Sequence, residues 1–249
     1  MDLGIGGRKA IVCASSEGLG YACARALAAA GCDVVMNGRR PDVLSAAADR
    51  VRAETGAAVS TVIADVATKD GRDRLIRTCP HPDILVNNAG GPPKKDFREL
   101  THDDWSRALE ANMLSAVALI THYVDGMMER NFGRIVNVTS MTSVRPFINL
   151  DLSNAVRLGL TGFVAGVSRQ VVGRGVAINN LLPGSFATTR ARALADAAAT
   201  EALIKTIPAG RFGEPDEFGD TCAFLCSRSA GYITGQNILI DGGYCMNTL

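Results

Sequence analysis

Lys9-Ala10-Ile11-Val12-Cys13-Ala14-Ser15-Ser16-Glu17-Gly18-Leu19-Gly20 passes from an apolar run, through small residues, into an amphipathic pattern. Leu19, Cys23, Ala26, Leu27 and Ala30 follow helical spacing, and the pattern stops at Gly31. A strand, a tight turn and a helix N-terminus in that order gather backbone N–H groups and the positive end of the helix dipole at one point. Such a point suits a pyrophosphate. Gly18 would let the chain approach the phosphates closely, and Gly20 would let the helix pack against the strand.

Outward from this turn, short Val/Ile runs alternate with longer Ala/Leu-rich stretches. Strands are expected at Lys9–Ala14, Asp33–Met36, Ala58–Ala64, Ile84–Val86, Arg134–Thr139, Val176–Leu182 and Asn237–Ile240. Several are nearly continuous in apolar residues, as in a parallel sheet covered on both faces. A helix is expected from Thr101-His102-Asp103-Asp104 through Trp105 to about Met128, with Thr101 capping it and Asp104 near its positive end. The stretch from Pro183 to Pro215 is irregular. No repeat, charge block or Gly/Ser linker divides the chain, so a single doubly wound α/β domain is expected over residues 1–249. In such a sheet Asp65-Val66 would close the third strand beside an adenine. Asn87-Asn88-Ala89-Gly90 would close the fourth at the carboxyl edge, where open α/β sheets bind ligands.

The chain has 249 residues, 26 basic and 25 acidic, for a net charge of +1. That balance argues against a nucleic-acid binder and a polybasic membrane-surface protein. No apolar run reaches the roughly 18 residues of a membrane helix, and Met1–Arg8 has no signal-peptide core. A cytoplasmic protein is the expectation. Among seven cysteines there is no Cys-x-x-Cys pair. Cys222 and Cys226 share a helix face and read as buried thiols, and His81, His102 and His122 have no ligand spacing, so no metal is expected.

Together these words resemble the short-chain dehydrogenase/reductase family over nearly the whole chain. The first turn matches T-G-x-x-x-G-x-G except that Cys13 and Ala14 replace Thr and the first Gly. Asn87-Asn88-Ala89-Gly90 is the family word unchanged, and Gly133-Arg134-Ile135-Val136-Asn137-Val138-Thr139-Ser140 is similar to the strand that ends in its catalytic serine. Pro183-Gly184, the stretch from Gly210 to Gln236, and Asp241-Gly242-Gly243 match its C-terminal half. The resemblance implies a Rossmann fold with a seven-stranded parallel sheet and helices on both faces. It implies a nicotinamide dinucleotide held by Ala14, Ser15, Ser16, Gly18, Leu19 and Gly20 of the turn. Further contacts would come from Asp65 and Val66, from Asn88, Ala89 and Gly90, and from Pro183, Gly184 and Phe186. A substrate lid over 185–210 is also implied, as is a homotetramer or homodimer packed through the long helices near Asn112 and Asn154.

In Asn37-Gly38-Arg39-Arg40, glycine stands where NAD-preferring members place aspartate, and Arg39 follows it. An arginine there accommodates a 2′-phosphate through a charge-assisted contact, so NADP(H) is expected over NAD(H). Glu17 points the other way, because NADP-preferring relatives often carry a basic residue at its place.

The family's proton donor is a tyrosine, helped by a lysine four residues later. Counting back from Gly159-Leu160-Thr161 puts Asn154 at the lysine position and Leu150 at the tyrosine position. No tyrosine lies between Tyr123 and Tyr232, and no lysine between Lys95 and Lys205, so no shift restores the pair. What remains is Ser140 to bond a carbonyl oxygen, Asn112 to order a water, and Asn154 to hold ribose hydroxyls. Arg157 shares a helix face with Asn154 and Leu150 and would bring a positive charge; a helix-face arginine at a subunit contact is the other reading. A guanidinium holds its proton too tightly to be a good acid. The expected activity is an NAD(P)(H)-dependent oxidoreductase acting on a carbonyl or secondary alcohol with this altered acid–base set. The alternative is a lyase- or isomerase-like enzyme, or a catalytically silent cofactor-binding protein. Lys94, Lys95, Arg98, Arg145, Arg190 and Arg192, which the resemblance places around the mouth, would attract an anionic small-molecule substrate, or are solvated surface charge.

Overall fold

The computed structural model describes residues 2–189 and 197–245. Among these residues seven strands form one sheet: β1 (Lys9–Val12), β2 (Asp33–Gly38), β3 (Val59–Ile63), β4 (Ile84–Asn87), β5 (Gly133–Val138), β6 (Val176–Pro183) and β7 (Asn237–Ile240). All neighbours pair in parallel, in the order β3-β2-β1-β4-β5-β6-β7. The apolar runs are continuous because both faces are covered. Ala10 and Val12 face one core while Ile11 faces the other.

Helices α1 (Gly18–Ala29) and α2 (Pro41–Thr55) lie on the first face, and α3 (Lys69–Thr78) on the second. A long helical run follows as α4 (His102–Leu109), one π turn (Glu110–Leu114) and α5 (Ser115–Glu129). It starts where the sequence indicates: Thr101 and Asp104 cap each other's backbone N–H groups. Next come α6 (Asp151–Val171), α7 (Ala197–Thr206) and α8 (Pro215–Cys226). Leu119, Ile120 and Met127 of α5 pack with Leu160 and Val164 of α6 on the second face. On the first face α8 contributes Phe218, Cys222 and Cys226, and both thiols are buried.

The doubly wound α/β expectation is met, with shifts at strand ends. Strand β1 closes at Val12 rather than Ala14 because Ala14 takes a left-handed backbone (φ +45°). Strand β2 runs on to Gly38 because Asn37 and Gly38 pair in register with Val62 and Ile63. Within the expected lid, residues 190–196, with Arg190 and Arg192, lie outside the described residues. No helix among the described residues is long and apolar enough to cross a membrane.

Candidate active site

The strand order reverses between β1 and β4, which opens a crevice at the carboxyl ends of these two strands. The turn Cys13–Glu17 leaves β1 here and feeds α1. Gly18 has φ +59°, and a Cβ on Gly20 would sit 2.3 Å from the Ala14 carbonyl and 2.6 Å from Asn88 Nδ2. Only glycine lets the helix seat this close, which is the packing the sequence indicates. Asn88 Nδ2 donates to Ala14 O at 3.1 Å, so the end of β4 is tied to the turn. Thr188 comes back over the turn, its Cγ2 3.6 Å from the place of a Gly18 Cβ. A glycine turn at a helix start, whose first N–H groups have no partner within the helix, fits a dinucleotide pyrophosphate.

Two of the residues expected at the cofactor have their side chains engaged elsewhere. Ser15 is fully buried, and its hydroxyl is bonded to Asn37, accepting from the Asn37 N–H at 3.1 Å and donating to the Asn37 carbonyl at 3.3 Å. It shapes the turn and has no side chain to offer a phosphate. Phe186 turns its ring into the core, edge-on to Phe218 at 5.4 Å. Asn37 is the residue that the sequence reading passed over. Its Nδ2 donates to Val62 O and Ala64 O at 3.0 Å each, which rivets the ends of β2 and β3 together.

At those strand ends stand the ribose candidates. Arg39 lies 3.6 Å from Asp65, and Arg40 lies 2.8 Å from Glu17, all four largely exposed. Ser16 Oγ sits 3.5 Å from the place of a Gly38 Cβ. The group therefore holds two guanidinium ions and two carboxylates on neighbouring loops.

At the other end of the crevice β5 delivers Ser140. Its Oγ accepts from Thr142 N at 3.1 Å, which leaves the hydroxyl proton free to donate to a carbonyl oxygen. Arg157, buried on α6, reaches under this strand end. Its Nη1 donates to the carbonyls of Val138 (3.0 Å) and Thr139 (2.8 Å), and its Nη2 donates to Asn112 Oδ1 (3.0 Å). A guanidinium can only donate, so it fixes which way the Asn112 amide points. Asn112 sits inside the π turn, a distortion that often marks functional sites. Leu150 is the N-cap of α6, with non-helical backbone (φ −113°, ψ 28°). Asn154 clasps the main chain of Phe147, donating to its carbonyl at 3.0 Å and accepting from its N–H at 3.3 Å. The expected common face of Leu150, Asn154 and Arg157 is therefore split: Asn154 faces the Phe147 loop, and Arg157 the sheet.

A row of amides crosses the sheet behind the site. Asn87 Nδ2 donates to Asn137 Oδ1 (2.9 Å), Asn137 Nδ2 to Asn180 Oδ1 (3.0 Å), and Asn180 Nδ2 to Asn237 Oδ1 (2.8 Å). The row ends at Asn87 Oδ1, a buried acceptor with no hydrogen-bond partner among the described residues. Asn87 lines a cavity of about 20 Å³ together with Asn88, Asn112, Ser115 and Arg157. Cys13 borders the same space, but burial pushes its thiol up to about 12 and removes it as a nucleophile. Of the basic residues expected around the mouth, Lys95 pairs with Asp104 (3.1 Å) and Arg98 with Asp96 (3.1 Å). Sequence reasoning missed Asn37, Thr188 and the amide row because each acts between segments far apart in the chain.

Residues 13–245 match the family model described as Enoyl-(Acyl carrier protein) reductase. An acetoacetyl-CoA reductase of Shinella zoogloeoides is 35% identical over 239 residues, spanning 95% of this chain and 98% of its own. The chain belongs to the short-chain dehydrogenase/reductase family, as its motifs indicate. Among solved structures, the L-sorbose reductase of Gluconobacter frateurii complexed with NADPH and L-sorbose superposes with a TM-score of 0.94 at 30% identity, covering 99% of this chain and 100% of that one. A 3-oxoacyl (acyl-carrier-protein) reductase of Agrobacterium tumefaciens with NADP bound gives 0.92 at 30% identity, covering 98% and 96%. These relatives are oxidoreductases.

Proposed function

We propose that this chain is an NADP(H)-linked oxidoreductase interconverting a carbonyl and a secondary alcohol, with Leu150 and Asn154 in place of the usual tyrosine and lysine. The observation that carries this reading is the conjunction, at one sheet edge, of the glycine cradle at Gly18–Gly20 with the uncommitted hydroxyl proton of Ser140. NADPH, when bound, supplies the hydride. Ala14, Ser16, Gly18, Leu19 and Gly20 receive the pyrophosphate, and Asp65 and Val66 the adenine side. Asn88, Ala89 and Gly90 line the inner wall. Pro183, Gly184 and the Phe186 backbone form the other. Arg39 takes the 2′-phosphate, which favours NADP(H) over NAD(H). NADP bound to relatives supports this.

Ser140 donates to the substrate carbonyl and holds the charge that develops there. Arg157 fixes the end of β5 and the Asn112 amide, and places a permanent positive charge beneath them. Asn154 keeps one N–H for a ribose hydroxyl beside its bonds to Phe147. None of these groups is a good acid, so the alkoxide is protonated by water ordered at Asn112 or by a substrate hydroxyl. Losing a dedicated acid costs about 10²–10⁴-fold in rate, which leaves a slow but real reductase. The chain works in the cytoplasm as a homodimer or homotetramer, consistent with the exposed Leu109, Leu114 and Leu158 on α4–α6. Stopped-flow absorbance tests the activity: bound NADPH is oxidised in a single turnover by at least one member of a carbonyl panel. Tight NADPH binding with no oxidation across the panel would favour a silent or non-redox protein instead.

A further inference from the structure

We infer that Arg145 and Tyr244 form a subsite for an oxyanion carried by the carbonyl substrate, a reading that rests on Ser140 holding the carbonyl. The C-terminal turn builds this place. Asp241 folds it by accepting from Gly243 N (3.0 Å) and Cys245 N (2.7 Å). The turn then joins the two walls of the mouth. On one side Ala209 N donates to Gly242 O at 3.0 Å, and a Cβ on Gly242 would stand 2.9 Å from Ile207. On the other, the Tyr244 ring stacks on Phe147 at 5.9 Å and 18°. Phe147 is the residue whose main chain Asn154 clasps, so this aromatic pair is anchored to α6.

Arg145 is held against the pair from one edge. Its Nη1 donates to Tyr244 O at 3.0 Å, and its Cζ lies 4.8 Å from the Tyr244 ring centroid. The guanidinium is exposed, and among the described residues no carboxylate pairs with it, in contrast to Lys95 and Arg98. A fork of five N–H donors with one edge pinned and the rest open suits a carboxylate or a phosphate. Pinning also lowers the entropy lost when the anion binds. Arg145 is five residues past Ser140, and its N–H bonds back to Met141 O at 3.0 Å, so the intervening loop is folded. A fully extended stretch of that length would span about 17 Å between Cα atoms, and the bond back to Met141 makes the actual span shorter. The stacked rings of Phe147 and Tyr244 beside the guanidinium offer an apolar surface for carbons of the same substrate.

Calorimetry on the protein saturated with NADP⁺ tests this with two matched pairs, acetoacetate against ethyl acetoacetate and dihydroxyacetone phosphate against dihydroxyacetone. At least one charged member binds about tenfold more tightly than its neutral partner, and the pair that shows it tells carboxylate from phosphate. Arg145→Gln erases the difference, Arg145→Lys keeps part of it, Tyr244→Phe keeps it and Tyr244→Ala weakens it. Equal binding within both pairs, no binding of either anion, or an Arg145→Gln effect shared by charged and neutral probes overturns the subsite. Binding needs no turnover. A charge preference without NADPH oxidation would therefore sink the oxidoreductase reading alone, and turnover blind to charge would sink the subsite alone.

Discussion

Besides Leu150 and Asn154, two residues can be tested singly, Ala14 and Arg157. Ala14 holds a left-handed backbone where the family motif has glycine, at a cost of about 1–2 kcal/mol. Glycine would give back about 0.5–1 kcal/mol of that through unfolded-chain entropy. Ala14→Gly is therefore expected to raise the melting temperature by a degree or two, and Ala14→Val, β-branched in the same conformation, to lower it by several. Scanning calorimetry showing the opposite order would contradict the strain. Arg157 bonds three buried oxygens, each worth about 1–3 kcal/mol when left without a donor. Arg157→Met should melt lower and cut the single-turnover rate at least about tenfold with little change in NADPH affinity. Arg157→Lys should recover part of the rate, since the charge returns without the fork. Equal loss in both variants would leave Arg157 a purely structural residue. The sequence shows what stands at 14 and 157. It does not show that Arg157 turns toward β5 while Asn154 turns toward Phe147, because that depends on which oxygens the sheet leaves within reach.

Among the elements, the helix caps were the most legible, since a cap is chemistry between near neighbours. The Thr101–Asp104 box forms where the spacing indicates. The start of α8 carries a second one, between Glu214 and Glu217. Glu217 is drawn from 4.5 down to about 2 by the Arg211 guanidinium first and the Glu214 N–H second. A carboxylate with a lowered folded value adds stability above its unfolded value, and that contribution is lost as pH falls through the folded one. The urea midpoint of the wild type should thus exceed that of Glu217→Gln at pH 6, with the gap closing between about pH 4.5 and 2. A gap independent of pH would assign the effect to packing. The π turn at Glu110–Leu114 was not legible. Its apolar pattern is that of a continuous helix, and only the extra residue needed to bring Asn112 against Arg157 reveals it.

For the molecule as a whole, cofactor binding is expected to dominate stability. NADPH at about a thousand times its dissociation constant adds about 4 kcal/mol to the folded state, read as a melting shift of roughly ten degrees. NADH should give a smaller shift. Arg39→Gln should remove the difference, and added salt should narrow it, because the Arg39 and Asp65 side chains are exposed. Equal shifts with both nucleotides in the wild type would show that Glu17 and Asp65 cancel the arginines. Sedimentation giving a monomer at working concentration would remove the oligomer.

The sequence by itself determined the parallel sheet, the glycine turn, the caps and the family, because these rest on short-range periodicity and on contiguous words. Only the tertiary structure decided that Ser15 and Phe186 turn away from the crevice, that four asparagines from separate strands share one row, and that Tyr244 meets Arg145. Those outcomes depend on burial and on hydrogen bonds between residues dozens to a hundred positions apart. No local pattern encodes which of them come together when the sheet closes.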